Sequence, residues 1–436
     1  MNVGKIVGKV LDKGAEEAEV SVSKNRSRRI LIENNRITYF EYRDSSGIRV
    51  MAIGDKKIGV AASSGLSTKI IDETISSAIR FMKSGERDPD FETLISPQSP
   101  AMVSEIFDKY IVEVGYDELL KEILSIIDLV KNSGGVIYQG EIDLGLREVF
   151  LANSEGVNYS YKKTYVWTSF TIYVSENNYS SEGFLHRASV FWKDLKLNDS
   201  LKKVLEITRN TLKPVKVEAG VTNILFGPDA LFDLITPIFY AVNGDNVRKK
   251  RSKFTGKLGE KVASEKLTII DDGTLSRGYR TAPYDGEGYT MMRKKVIDKG
   301  ILVNYLLDNY TALKMDKKST GNAGTNRPFP SITPTNIIIS PGTKSFEEIV
   351  SEIDKGIYVP RIPPTFINPA TGSFSVELRQ AFSIEKGEIK SPVRWGMISG
   401  NIYDMIKNIY SIGNDLTSIN YVRLPSICFT DMRIEA

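Results

Sequence analysis

The sequence predicts an α+β protein in two halves: a helix-plus-antiparallel-sheet N-terminal domain over 1–212, and a β-rich α+β C-terminal domain over 217–436. Three observations carry this. A helix followed by alternating strands occurs twice, in 1–84 and 116–212. The second half mixes short strands and Gly-rich connections with two helices. Between them, the charged Lys213-Pro214-Val215-Lys216 marks a boundary.

The elements follow in order. Val3, Ile6, Val7, Val10 and Leu11 recur at helical spacing, and Lys5, Lys9 and Lys13 interrupt them, which makes an amphipathic helix and not a signal h-region. Residues 17–24, 28–33 and 37–42 alternate apolar and polar, with Asn34-Asn35 as a turn. Strands 47–53 and 57–63 meet across Gly54-Asp55, completing a meander. Ile70, Ile71, Ile75, Ala78, Ile79 and Met82 place a helix on Ser67 to Met82. Residues 85–115, with Pro89, Pro97 and Pro100, read as a linker-like arm.

A second helix starts near Tyr116, turns Leu119, Leu120, Ile123, Ile127 and Val130 inward, and ends at Gly134-Gly135. Residues 136–192 suggest four antiparallel strands with turns at 153–156 and Asn177-Asn178, and a helix over 200–212 follows. The repeated order hints at a structural duplication without a residue-level repeat. Further on, Ser345 and Glu348 form a capping box before Phe346, Ile349, Val350 and Ile353, with Gly356 as the stop. Another helix is expected over 402–411, ahead of Gly413-Asn414-Asp415.

Composition narrows the function. With 41% hydrophobic residues the chain can bury sizeable cores, and its net charge of +4 is spread evenly, so no basic arm points to nucleic acid. The lone Cys428 excludes an internal disulfide and fits a reducing interior, and no apolar run reaches the ~18 residues of a membrane span. A cytoplasmic location is expected.

Chemistry is limited by a single histidine, His186, beside that single cysteine. A catalytic zinc site draws three protein ligands mostly from His and Cys, with a carboxylate base, and one His hardly supplies it. Neither residue is flanked by a nucleophile elbow, so a surface His and a packed Cys are expected. Asp271, Asp272, Asp285 and Glu287 are the carboxylates capable of binding a hard cation or acting as an acid/base pair. Their Asp-Gly contexts favour a structural role at strand exits and turns. The run Arg248 to Lys253 reads as a solvated surface. Ser319 to Gly324 lacks the Lys of a phosphate loop, and Gly321 and Gly324 permit close approach of a peptide backbone. No metal and no cofactor is expected.

The order and spacing of Phe254 to Ser264, Thr268 to Gly273, Pro283 to Gly288, Gly300-Ile301-Leu302, Ser319 to Gly324 and Val393 to Asp415 resemble the TldD/TldE (PmbA) family, with Gly47-Ile48-Arg49-Val50 as a looser N-terminal match. The resemblance implies a zinc peptidase member, TldD, with His-Glu-x-x-x-His on a C-terminal-domain helix and a later Cys. It also implies a partner, TldE, that lacks these ligands and joins it in a heterodimer cleaving unfolded peptides. Aligned on Phe254, the motif positions here are Ile235, Thr236 and Tyr240, none fit for the chemistry, and Cys428 falls a few residues past the family's Cys. The residues agree: Pro228 suits a first helical position, and Leu231, Phe232, Leu234, Ile235, Ile238, Phe239 and Val242 form the wide apolar surface of a buried helix, which Pro237 interrupts.

The implied function is a TldE/PmbA-like, non-catalytic subunit whose partner is a TldD-like subunit or a second copy of itself, acting on unfolded peptides. The alternatives are a regulatory or binding protein of the gyrase-modulator kind, and an autonomous hydrolase with an oxygen-ligand metal site built from Asp271, Asp272, Asp285 or Glu287.

Overall fold

A computed structural model describes residues 2–325, 331–363, 365 and 367–436. In the N-terminal half, α1 (Gly4–Asp12) precedes β1 (Glu17–Glu33), β2 (Arg36–Gly54), β3 (Lys57–Ser64) and α2 (Thr68–Ser84). After α3 (Lys109–Glu113) the same order returns as α4 (Tyr116–Asn132), β4 (Gly135–Asn153), β5 (Asn158–Glu176), β6 (Tyr179–Ser189) and α5 (Leu197–Asn210). The strands form one antiparallel sheet in the order β3-β2-β1-β4-β5-β6, so the two meanders meet edge to edge where β1 pairs β4 from Glu19↔Asn153 to Glu33↔Gln139.

Strand parity explains how this sheet is covered. Ala18, Val20, Val22, Ile30 and Ile32 of β1 share one face, the first three packing with the residues of α1 and α2 and the last two with those of α4 and α5. Val166, Phe170 and Ile172 of β5 point the same way. The other face, carrying Tyr159, Tyr161, Lys163, Tyr165 and Trp167, is left for the C-terminal half.

The strands are longer than sequence alternation predicts. Segments 17–24 and 28–33 are one strand, as are 37–42 and 47–53, because polar residues between them stay in the ladder, for example Asn25↔Ser45 and Ser27↔Arg43. Between residues 136 and 192 there are three strands, not four. The turns fall where expected, with Asn34, Asn35, Asn177 and Asn178 all at positive φ, as the tight turns of twisted hairpins require.

The arm after α2 is a strap without regular structure through residue 108. It buries Phe91, Leu94 and Ile95, then pins to the C-terminal half through Ala101 N–H to the Pro283 carbonyl at 3.1 Å and the Glu105–Arg277 pair at 2.9 Å.

Among the described residues, the C-terminal half contains two sheets. A six-stranded one includes Ile269–Asp272 and ends at Thr417–Ile419. In the nine-stranded one, Gly220–Phe226 runs parallel to Lys355–Arg361 and antiparallel to Ile427–Glu435. Two helix expectations are corrected. The apolar helix after Gly227 is two, α6 (Pro228–Leu234) and α7 (Thr236–Val242), broken at Ile235. Pro237 has no N–H to give the Asp233 carbonyl, which accepts the Thr236 hydroxyl at 2.9 Å instead. After α8 (Gly244–Arg248), α9 (Asn309–Lys314) and the capped α10 (Phe346–Ser351), the helix expected over 402–411 shrinks to α11 (Ile402–Met405). Ile409–Ile412 is drawn into a strand against Ile427–Phe429.

Candidate functional site

The degenerate motif lies in packing. Ile235, 3% exposed, joins the large C-terminal core with Leu231, Leu234, Ile238 and Phe239. Over α7, the Tyr403 hydroxyl donates to the Pro237 carbonyl at 3.0 Å, while the Tyr240 carbonyl accepts from the Asn246 side chain at 3.0 Å. Cys428 is fully buried and sits elsewhere. Its strand neighbours Ile427 and Phe429 face the core that holds Ile235, whereas Cys428 packs with Leu225, Ile349, Val350, Ile353 and Ile384 on the opposite face of the sheet. Burial pushes its thiol up to about 12. His186 is exposed on β6.

Three clefts lie between the halves. One of about 650 Å³ runs between the strap at 91–95, α8 and α9, and its wall includes Glu287. A second, about 820 Å³, opens between the free face of β5 and segments 279–286 and 321–325. It brings together Asp285, Gly321 and Gly324. The third, about 710 Å³, is bounded by β6, α5 and the edge strand Thr417–Ile419, and shares Tyr279 with the second.

The candidate carboxylates do distinct work. Asp271, fully buried, pairs with Lys294 at 2.6 Å and accepts the Asn322 amide at 3.1 Å and the Thr335 N–H at 2.6 Å, so it anchors the Gly-rich segment from behind. Asp272 accepts from the Thr274 N–H and hydroxyl at 2.9 and 2.8 Å, closing a turn. Asp285 takes the N–H groups of Glu287, Tyr289 and Ala323 at 3.0, 2.9 and 3.0 Å. Burial outweighs those bonds and lifts its carboxyl to about 7. Glu287, accepting the Asn309 N–H at 2.9 Å, is raised well above the ordinary glutamate range by burial and then by the Asp308 and Asp285 charges.

The glycines are needed by the chain itself. A Cβ on Gly321, at φ +68°, would lie 2.8 Å from the Thr290 carbonyl oxygen, and one on Gly324 would lie 2.7 Å from that of Ser331. Close backbone approach is therefore intramolecular at both.

Sequence reasoning missed the opposite wall of the second cleft. Tyr161, Lys163, Tyr165 and Trp167 alternate along β5, with Arg147 beside Lys163 across the ladder. The period-two run of rings and base in Tyr159 to Trp167 was the available signal. Lys163 donates to the carbonyls of Gly278, Tyr279 and Thr281, docking the halves. Burial, then the Arg147 and Arg280 charges, push it down to about 7.

Fold and site define an α+β protein whose N-terminal double meander docks over a two-sheet domain, with the clefts between them and a packed helix break at Ile235. Residues 18–81, 108–213 and 219–436 match, in turn, domain 1, the central domain and the C-terminal domain of the PmbA/TldA metallopeptidases. The chain belongs to the PmbA/TldD metallopeptidase family. It is 25% identical to the metalloprotease PmbA of Escherichia coli O157:H7, over 96% of this chain and 92% of that one. An uncharacterized Methanocaldococcus jannaschii protein is 27% identical over 98% and 99%. TldE from Thermococcus kodakarensis superposes with a TM-score of 0.92 at 24% identity, covering both chains fully.

A metallopeptidase name implies a metal, and the residues at the positions aligned with the zinc motif do not fit one. Ile235 offers no lone pair, Thr236 is engaged with a backbone carbonyl, and Cys428 faces away. Among the described residues no group of three His, Cys, Asp or Glu is disposed to hold a metal ion, and no helix is long and apolar enough to cross a membrane.

Proposed function

We propose that this chain is a TldE-like, non-catalytic subunit of a TldD/TldE-type metallopeptidase complex that degrades or processes unfolded peptides. What supports this is Ile235: the residue that the family resemblance aligns with a metal ligand is a core residue at a helix break, in a chain that matches all three family domains. A fold retained without the ligands acts through association, as a heterodimer with an active relative or a homodimer alone, across a mostly apolar surface. Extended peptides are bound by backbone pairing to an open sheet edge, and Thr417–Ile419, bonded on one side only and lining the third cleft, is the edge we assign to this.

The test mixes this chain with a His-Glu-x-x-x-His relative and an unstructured peptide. Cleavage should need both chains and vanish when the relative's Glu becomes Gln. A relative fully active alone, with no association on size exclusion, sinks the reading and leaves the regulatory or binding role.

A further inference from the structure

We infer that the second cleft is a carboxylate-recognising subsite, in which Arg147 and Arg280 receive the anionic group of an extended peptide beside Lys163, whose three N–H groups are taken by backbone carbonyls. That the carboxylate belongs to a peptide rests on the proposed function; the site rests on its own geometry.

Elsewhere between the halves, several buried or half-buried cations are neutralised. Arg277 is paired to Asp194 and Glu105, Arg187 and Arg361 share Asp229, and Lys314 meets Asp88 and Asp90. The second cleft departs from this pattern. Arg147 on β4, Lys163 on β5 and Arg280 on the C-terminal segment line one cavity, and among the described residues none of them makes an ion pair. Lys163 is held by backbone carbonyls, Arg280 by the Pro334 carbonyl at 2.8 Å and the Tyr421 ring, and Arg147 lies 6.0 Å from the Tyr165 ring centroid.

The cleft's own carboxylates make no ion pair with these three cations. Asp143 accepts the Tyr165 hydroxyl at 3.1 Å, and Asp285 is tied to three backbone N–H groups. A further donor waits there: Thr335, 4% exposed, has a buried hydroxyl without a partner. Tyr161, Tyr165, Trp167 and Tyr279 wall the space with rings, which lowers the local dielectric and strengthens charge recognition. The ligand carries a single carboxylate and is not a polyanion, because the protein's net charge of +4 is dispersed.

The carboxylate comes either from a peptide's C-terminus or from an Asp or Glu side chain. Three dye-labelled, unstructured nine-residue peptides separate these: one with a free C-terminal carboxylate, its C-terminal amide, and an amide carrying one internal Glu. Fluorescence polarisation with the full chain should show at least one acid binding about tenfold more tightly than the neutral amide, the effect of one charge-assisted hydrogen bond. That preference should fall with added salt. Arg147→Gln, at an exposed position that leaves the fold intact, should remove most of it and leave the neutral amide unchanged, and Arg280→Gln should act in the same direction. Whichever acid binds names the source. Equal affinity for all three peptides, including no binding, overturns the inference, as does a preference that survives in the double variant. A chain with the preference that fails to activate a relative loses the subunit reading alone; the converse loses this inference alone.

Discussion

Arg187 on β6 and Asp229 in α6 form a two-pronged pair, Nη1 to Oδ1 at 2.6 Å and Nη2 to Oδ2 at 3.2 Å, that ties the N-terminal sheet to the C-terminal half. Arg361 adds a third bond to Asp229 at 3.1 Å and donates to the Phe184 carbonyl on the outer strand β6. Burial alone would raise the Asp229 carboxyl. The Arg361 and Arg187 charges overcome it and hold the group below the ordinary aspartate range. That stabilisation is present above the unfolded value and is lost as pH falls through the folded one. Asp229→Asn leaves two guanidiniums, each at least nine-tenths buried, without a counter-charge, and should cost about 3–5 kcal/mol. Urea unfolding at neutral pH measures it, and an unchanged midpoint would show that the clamp contributes nothing.

The carboxylates behind the clefts give a dependence of the opposite sign. Glu287 is raised well above its ordinary 4.5, first by burial and then by Asp308 and Asp285. The folded chain keeps a proton that the unfolded chain releases, so stability falls as pH rises from about 4.5 towards the raised value. Glu287→Gln keeps an oxygen for the Asn309 N–H and removes the charge. The variant should match the parent near pH 4.5, exceed it by about 1–3 kcal/mol at pH 8, and lose about one proton from the stability slope between them. A variant less stable at pH 8 contradicts this.

Much of the architecture was legible because periodicity reports burial. Val3 to Leu11 and Ile70 to Met82 show helical spacing and are helices, and Asn34-Asn35 and Asn177-Asn178 mark true hairpin turns. Strand ends were not legible, because Arg43 to Ser46 continue β2 through backbone bonds that no side-chain pattern records. The break at Ile235 was partly legible through Pro237. The clefts were hidden, since Lys163, Arg147 and Arg280 lie on three separate segments and meet only when the halves dock. The Asp-Asp-Gly context reads as a strand exit, and Asp272 ends the strand Ile269–Asp272, but nothing in the sequence foretold that Asp271 pairs with Lys294.

Cys428 offers a check on packing. Its side chain is fully buried and its thiol is pushed up to about 12, so a thiol reagent at pH 8 should leave the native chain unlabelled and modify one group per chain in denaturing urea. Cys428→Ser should lower stability by about 1–3 kcal/mol, since the hydroxyl enters an aliphatic cluster with no partner. Rapid labelling of the folded protein would contradict the packing.

Restoring the motif letters should not restore a peptidase. Ile235→His places an imidazole where Leu231, Leu234 and Ile238 pack, at a position 3% exposed. Thr236→Glu removes the hydroxyl bond to the Asp233 carbonyl and adds a carboxylate near Asp233, whose own carboxyl is already raised by burial and by Asp229. Tyr240→His completes two histidines and a base without a third ligand, because Cys428 faces the far side of the nine-stranded sheet and, among the described residues, no group of three His, Cys, Asp or Glu is disposed to hold a metal ion. The triple variant should unfold about 3–5 kcal/mol more easily than the parent, from the polar groups buried in that core. Dialysed against zinc, it should hold no stoichiometric metal by elemental analysis and leave an unstructured peptide intact. One zinc per chain, with cleavage abolished by a chelator, would show that the rest of a catalytic site survives in this fold and would return the chain to the peptidases proper.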